Sequence, residues 1–558
     1  MIRRMKAPAP AAPPTPSARW LEHLPVLIVA IAVVFAAYVR LRVAGVPLER
    51  DEGEYAYAGQ LILQGVPPYV LAYNMKFPGT YYMYSVLMLV FGQTAWGIHV
   101  GLLCVSTVST ALLFALGRRV AGVWVAAAAA SLFAIFTVDR WLMGVFAHAT
   151  HFVVLFALAG LWQLDRALES RSARSFVIAG VSFGLAILMK QPGAAFFVLA
   201  IALIVWHDRR AAGRPLREAV RPIALLTAGG ALPFAALLAV LWWNGALGKF
   251  WFWTFEYARA YATQTPLSAA TAMLAYALKI VGQAAWPFWV LAGAGFLLLR
   301  LVAWPKKTRV WLTALALVST LAILPGYVFR QHYFLLVAPA AALLAGIALV
   351  SIGRLAALAL PRVAANGLAV VLGLTIAGSY VMTEREYLFS MTDTELSRSL
   401  YDVNPFVEAP AIGAYLREHT APTDRIGVLG SEPELLFYAQ RTSASGHIYT
   451  YPFFEPQPYA KEMAAEMVSE IESAQPPYIV YVATASSWTT VSQARNNPEV
   501  RAWAKSFSSS CYDVVGIADI SRTGTSMVWD AEAAGYQPSG TSIVYVMRRK
   551  ATGCSAAR

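Results

Sequence analysis

Residues 50–69 read R-D-E-G-E-Y-A-Y-A-G-Q-L-I-L-Q-G-V-P-P-Y, and N-M-K-F-P-G-T-Y-Y follows at 74–82. This polar stretch comes directly after an apolar run, Leu24–Val43, so Asp51 and Glu52 meet water where the chain would leave a bilayer. Lys76 follows on a loop edged by Pro67, Pro68, Pro78 and Gly79. The rest of the chain reads as a scaffold that holds this loop at a membrane surface.

Of the 558 residues, 58% are hydrophobic and 13% charged, and the mean hydropathy is +0.54. Soluble domains carry about 25% charged residues, whereas crossing a hydrocarbon core takes runs of roughly 20 apolar residues. The sequence supplies such runs repeatedly, near 24–43, 96–117, 122–137, 147–164, 175–189, 192–206, 222–243, 283–303, 310–325, 332–351 and 363–381. It predicts a polytopic α-helical membrane protein with about eleven transmembrane helices.

Thr80–Phe91 is short for a span and is read as a juxtamembrane or re-entrant helix within a first outer loop of about 44–95. The alternation that results puts Arg118, Arg119, Arg166, Arg171, Arg209, Arg210, Lys306 and Lys307 on one side. That is the positive-inside bias, with the N-terminus in the cytoplasm and the C-terminus outside. The first span reads as an uncleaved anchor. Residues 1–23 are expected to be a disordered cytoplasmic tail. The net charge of +13 sits mainly in short loops between apolar runs, which points to topology and membrane lipid and not to nucleic acid.

Beyond 381 the pattern changes. R-I-G-V-L-G, Y-I-V-Y-V, Y-D-V-V-G-I-A-D-I and S-I-V-Y-V-M read as strands and Ala460–Ala474 as a helix. Together they predict an extracytoplasmic α/β domain over 382–558. G-V-L-G-S-E-P lacks the third glycine of a dinucleotide fingerprint and reads as a strand-to-helix turn. Cys104 is expected in the core, and Cys511 and Cys554 could pair if the tail is exported.

The expected topology gathers ionisable residues at one face of the membrane, where charges are costly and line cavities or polar pathways. Asp51 and Glu52 are the expected catalytic carboxylates; Asp51 is either a general base, with a pKa raised beside Glu52 in a partly dry cleft, or the cap of a helix starting at Glu54. Lys76, Lys190, Arg330 and His332 form a basic set suited to an anionic lipid headgroup. Tyr55, Tyr57, His148, His151, Glu256 and Tyr333 are the expected substrate and cavity residues. His148 and His151 share a helix face and with Asp139 could hold a divalent metal, or could simply line the cavity; no metal or cofactor is assigned. The aromatic run Phe250–Tyr261 suits an interfacial belt.

D-E-G-E-Y-A-Y after a first span, a Pro-flanked Lys76 and R-Q-H-Y-F-L-L-V-A-P-A-A-A-L-L-A-G at 330–346 resemble the GT-C glycosyltransferases of the protein O-mannosyltransferase and lipid A aminoarabinose transferase type. N-P-F-V-E-A and G-H-I-Y-T-Y extend the resemblance into the tail; K-F-P-G at 76–79 departs from the K-P-P or H-P-P common among relatives. The resemblance implies an enzyme of a bacterial inner membrane. It would take a polyprenyl-phosphate-linked sugar donor and an acceptor (protein, lipid or glycan) outside, inverting the anomeric carbon. Asp51 would be the base, and Lys76, Arg330 and His332 the phosphate contacts. The alternatives are a flippase for a lipid-linked anion, favoured by functional charges at mid-span, and a sensor using the membrane part as an anchor, for which eleven spans are excessive.

Overall fold

The computed structural model describes residues 16–488, 497–552 and 554; residues 1–15 of the expected tail lie outside them. The helices of the first half are α1 (Pro16–Arg42), α2 (Arg50–Leu63), α3 (Gly79–Phe91), α4 (Ala95–Val120), α5 (Val123–Phe136), α6 (Ala149–Ser170), α7 (Ala173–Met189), α8 (Ala194–Trp206) and α9 (Arg217–Trp243). Further long helices follow, a bent pair Leu267–Val281 and Trp286–Leu301, then Lys306–Leu321, Ala338–Ala356 and Arg362–Thr383.

A helix occupies every one of the eleven apolar runs read from the sequence. Among the described residues seven helices are long and apolar enough to cross a membrane, or eight if the bent pair is one span. α5 and α7 are apolar but shorter. The chain is a multi-pass membrane protein, and Val34, Trp243 and Val363 point outward from the bundle as lipid-facing side chains do. Cys104, expected in the core, is exposed on α4. The expected span at 332–351 starts later, at Ala338, because 331–336 winds as a 3₁₀ turn that leaves His332 and Tyr333 at a helix mouth.

The tail is an α/β domain. Among the described residues its strands are β1 (Arg425–Leu429), β2 (Thr442–Ser443), β3 (Tyr478–Ala483), β4 (Tyr512–Ser521), β5 (Gly524–Trp529) and β6 (Ser542–Arg549). They form one mixed sheet in the order β2-β1-β3-β6-β4-β5. β1 runs parallel to β2 and β3, while β6 is antiparallel to β3 and β4. Ala460–Ala474 is a helix, as its pattern predicts, burying Met463, Met467 and Ile471. The disulfide Cys511–Cys554 ties the last strand's end to the helix before β4.

α2 sits between the bundle and this domain, and Glu52 through Leu61 are all buried. The bundle side receives Tyr55, Tyr81 and Tyr84, whose rings meet at 5.4–6.1 Å. On the domain side, Ser443 N donates to Tyr57 Oη (2.7 Å) and Leu48 N to Tyr438 Oη (2.9 Å). Gly53 permits the contact: a Cβ there would lie 2.6 Å from Glu434 N. The element that carries the carboxylates is thus enclosed by both halves of the protein.

Candidate active site

The helix that presents the carboxylates begins earlier than the sequence suggests, at Arg50, and Glu49 is its cap, accepting from Glu52 N at 2.9 Å. Asp51 therefore does not cap a helix from Glu54. It stands in the first turn with its side chain 30% exposed. Glu52, next to it in sequence, points the other way on the helix and is fully buried. It accepts from Ala147 N and meets His99 Nε2 at 3.1 Å, so the expected catalytic role of Glu52 gives way to an anchor of α2 to the bundle.

Three residues after Asp51 the helix turns Glu54 to the same side. Lys76 Nζ lies 2.9 Å from Asp51 Oδ1 and 2.6 Å from Glu54 Oε2, bridging the two, and its charge sits 4.5 Å from the Tyr55 ring. The loop bearing Lys76 is pinned to the end of α7. Thr80 Oγ1 donates to Met189 O at 2.8 Å and Gln191 Nε2 to Met75 O at 2.9 Å. A Cβ at Gly79 would fall 2.4 Å from Leu188 O, which gives the glycine of K-F-P-G a steric reason.

That pinning brings Lys190 to the same place. Its Nζ lies 3.4 Å from His332 Nε2 and 4.1 Å from the Tyr333 ring centre. His332 stacks on His148, centroids 4.0 Å apart, and His148 Nδ1 is 4.0 Å from Asp51 Oδ2. Among the described residues, both nitrogens of His148 and Nδ1 of His332 are buried without a hydrogen-bond partner. Arg330 stands exposed at the rim.

Burial pushes the Asp51 carboxyl up, but the Lys76 ammonium, with His148 and Lys190 beyond it, outweighs this and holds it well below the usual carboxylate range. Burial raises Glu54, only partly opposed by Lys76. Lys76 is itself held well above its usual value: burial lowers it and the two carboxylates more than reverse that. Lys190, between α7 and α8 and with less compensation, is pulled by burial down to about 7.

Of the expected site residues, Asp51, Lys76, Lys190, His148, His332, Tyr55 and Tyr333 converge here. Tyr57 faces Ser443 in the tail domain. His151 is buried one turn into α6, and Glu256 is half-buried on the π-helical segment Phe252–Tyr257. The suggested grouping of His148 and His151 with Asp139 does not form, since Asp139 caps its own turn by accepting from Trp141 N. Donor atoms of Asp51, His148 and His332 instead lie within 4.8 Å of one another. That set has the chemistry for a divalent cation, with the Lys76 ammonium already against Asp51. Sequence reading gave no role to Glu54, whose i,i+3 spacing from Asp51 is the one available signal, or to Tyr449, whose hydroxyl reaches Glu54 Oε2 at 2.8 Å from the tail domain.

A family model for dolichyl-phosphate-mannose-protein mannosyltransferase matches residues 75–243. No curated protein sequence matches the chain. Among solved structures the chain is similar to ArnT from Cupriavidus metallidurans bound to undecaprenyl phosphate, with a TM-score of 0.59 at 16% identity over 95% of this chain and 98% of that one. It is also similar to the oligosaccharyltransferase AglB from Archaeoglobus fulgidus in complex with an inhibitory peptide and a dolichol-phosphate. There the TM-score is 0.52 at 13% identity, over 94% of this chain and 76% of that one. Identities this low speak for the fold, and the fold is GT-C.

Proposed function

We propose that this GT-C-fold chain is a membrane glycosyltransferase that moves a sugar from a polyprenyl-phosphate donor to an acceptor hydroxyl. The observation that carries the reading is a carboxylate and two lysines converging where helix ends of an apolar bundle meet, with Asp51 and Lys76 at 2.9 Å. The acceptor oxygen attacks the anomeric carbon opposite the phosphate, inverting it. Asp51 takes the hydroxyl proton, and the C–O bond to phosphate breaks with its electrons leaving on polyprenyl phosphate. Lys76, Lys190 and Arg330 stabilise the charge that collects on the departing phosphate, and His332 lines that side.

While paired with Lys76, Asp51 is a weak base. A donor phosphate competes for the ammonium and frees the carboxylate, so the base gains strength when the sugar is present. The positive-inside bias of the loops supports placing this cluster and the tail domain outside the cytoplasm, in a bacterial inner membrane. The flippase alternative is less supported, because the charges of the site gather at the helix ends and not at mid-span.

The test is to incubate the purified protein with radiolabelled polyprenyl-phosphate sugars and a membrane extract, following label into new products. Labelled product that disappears with Asp51→Asn is the expected result. Label carried across a reconstituted bilayer without transfer would overturn the reading in favour of a carrier.

A further inference from the structure

Glu54 is fully buried, and a buried carboxylate is costly unless it is paired and hydrogen-bonded. Its partners come from three separate parts of the chain. Lys76 Nζ lies at 2.6 Å, Tyr81 Oη donates from α3 at 2.5 Å, and Tyr449 Oη donates from the tail domain at 2.8 Å. Asp51, the other partner of Lys76, is open to water on one side, whereas Glu54 is not. Asp51 is thus the partner Lys76 can release to a phosphate, and Glu54 the one it keeps.

Tyr449 is held firmly. Its segment is joined to the loop after α2 by Tyr73 N donating to Gly446 O at 2.7 Å. It is joined to the turn after β1 by Thr450 N donating to Ser431 Oγ at 3.0 Å. The neighbouring Glu432, buried, accepts from Ser431 N and Ser487 Oγ and pairs with Arg50 at 2.9 Å, at the start of α2. One buried network in the tail domain therefore fixes both the helix that carries Asp51 and the hydroxyl that reaches Glu54.

We propose that Glu54 and Tyr449 are positioning residues for Lys76, so that the docked tail domain sets the affinity of the site for the donor's phosphate. This rests on the donor reading given above. Without the Tyr449 hydroxyl, the Glu54 charge is balanced by one donor fewer and draws the Lys76 ammonium toward itself, away from the phosphate.

The experiment is binding of radiolabelled undecaprenyl phosphate to the full-length protein in detergent, comparing the unaltered chain with Tyr449→Phe, Tyr438→Phe, Lys76→Met and the Tyr449/Lys76 double variant. Tyr438→Phe removes another hydroxyl at the same domain contact, one bonded to Leu48 N and not to the Lys76 cluster. The expected result is binding about tenfold weaker in Tyr449→Phe, as suits one hydrogen bond to a charged group. Tyr438→Phe should stay within about twofold, and Tyr449→Phe should add nothing once Lys76 is Met. Unchanged binding in Tyr449→Phe, an equal loss in Tyr438→Phe, or an undiminished effect in the Lys76→Met background would each overturn the proposal. If Lys76→Met does not yield folded protein, the two tyrosine variants still decide it. An unaltered chain that does not bind undecaprenyl phosphate would overturn the donor reading and this proposal with it; normal binding with no Tyr449 effect would overturn this proposal alone.

Discussion

Replacing Asp51 by Asn should move two quantities in opposite directions. The change is nearly isosteric and removes one of the two negative charges on Lys76. Unit charges about 4 Å apart attract by about 4 kcal/mol at an effective dielectric near 20. The Asp51 and Lys76 side chains are 30% and 18% exposed, and water reduces the net share to about 1 kcal/mol. A phosphate that no longer competes with Asp51 should therefore bind about fivefold more tightly. Transfer loses its proton acceptor and should fall by about 10²–10⁴-fold. The assays are undecaprenyl phosphate binding and label transfer from a polyprenyl-phosphate sugar, on the same preparation. Full transfer by Asp51→Asn would refute the base assignment. Loss of binding together with transfer would show that Asp51 organises the phosphate site and is not freed by it.

Lys190, pulled down to about 7, is an ammonium below that pH and a neutral amine above it. Undecaprenyl phosphate affinity should thus fall as pH rises from about 7 to 9, where the phosphate is already doubly ionised, and Lys190→Arg should flatten that fall. Gly53→Ala would put a Cβ 2.6 Å from the Glu434 backbone; thermal unfolding should show a loss of about 1–3 kcal/mol, and unchanged stability would mean that the tail domain docks more loosely than described. Cys511→Ser opens a loop spanning 43 residues, worth about 4 kcal/mol in chain entropy; its lowered unfolding temperature should match that of the unaltered protein under reductant.

Hydropathy alone placed the membrane helices, because each apolar run must be satisfied within itself whatever its neighbours are. The same holds for β1, β3, β4, β6 and the helix Ala460–Ala474, whose periodicities are local. The approach of Asp51 to Lys76 has a sequence signal as well: they lie 25 residues apart in one polar stretch directly after a span, where few arrangements keep charges out of lipid. The start of α2 was not legible, since Glu49 and Asp51 are both chemically competent caps and only the path of the chain into the bundle selected Glu49.

Composition and local spacing thus determined a polytopic membrane protein with a polar tail domain and a polar stretch, directly after the first span, that carries carboxylates and a lysine. Tertiary structure decided which carboxylate faces which partner. Glu52 turned inward to His99, Glu54 turned to Lys76, His148 came to stack on His332, and Tyr449 came to Glu54 across 395 residues of chain. Such contacts leave no periodic trace, because the cost of burying each charge is met by a group that only the packing of distant segments brings within reach.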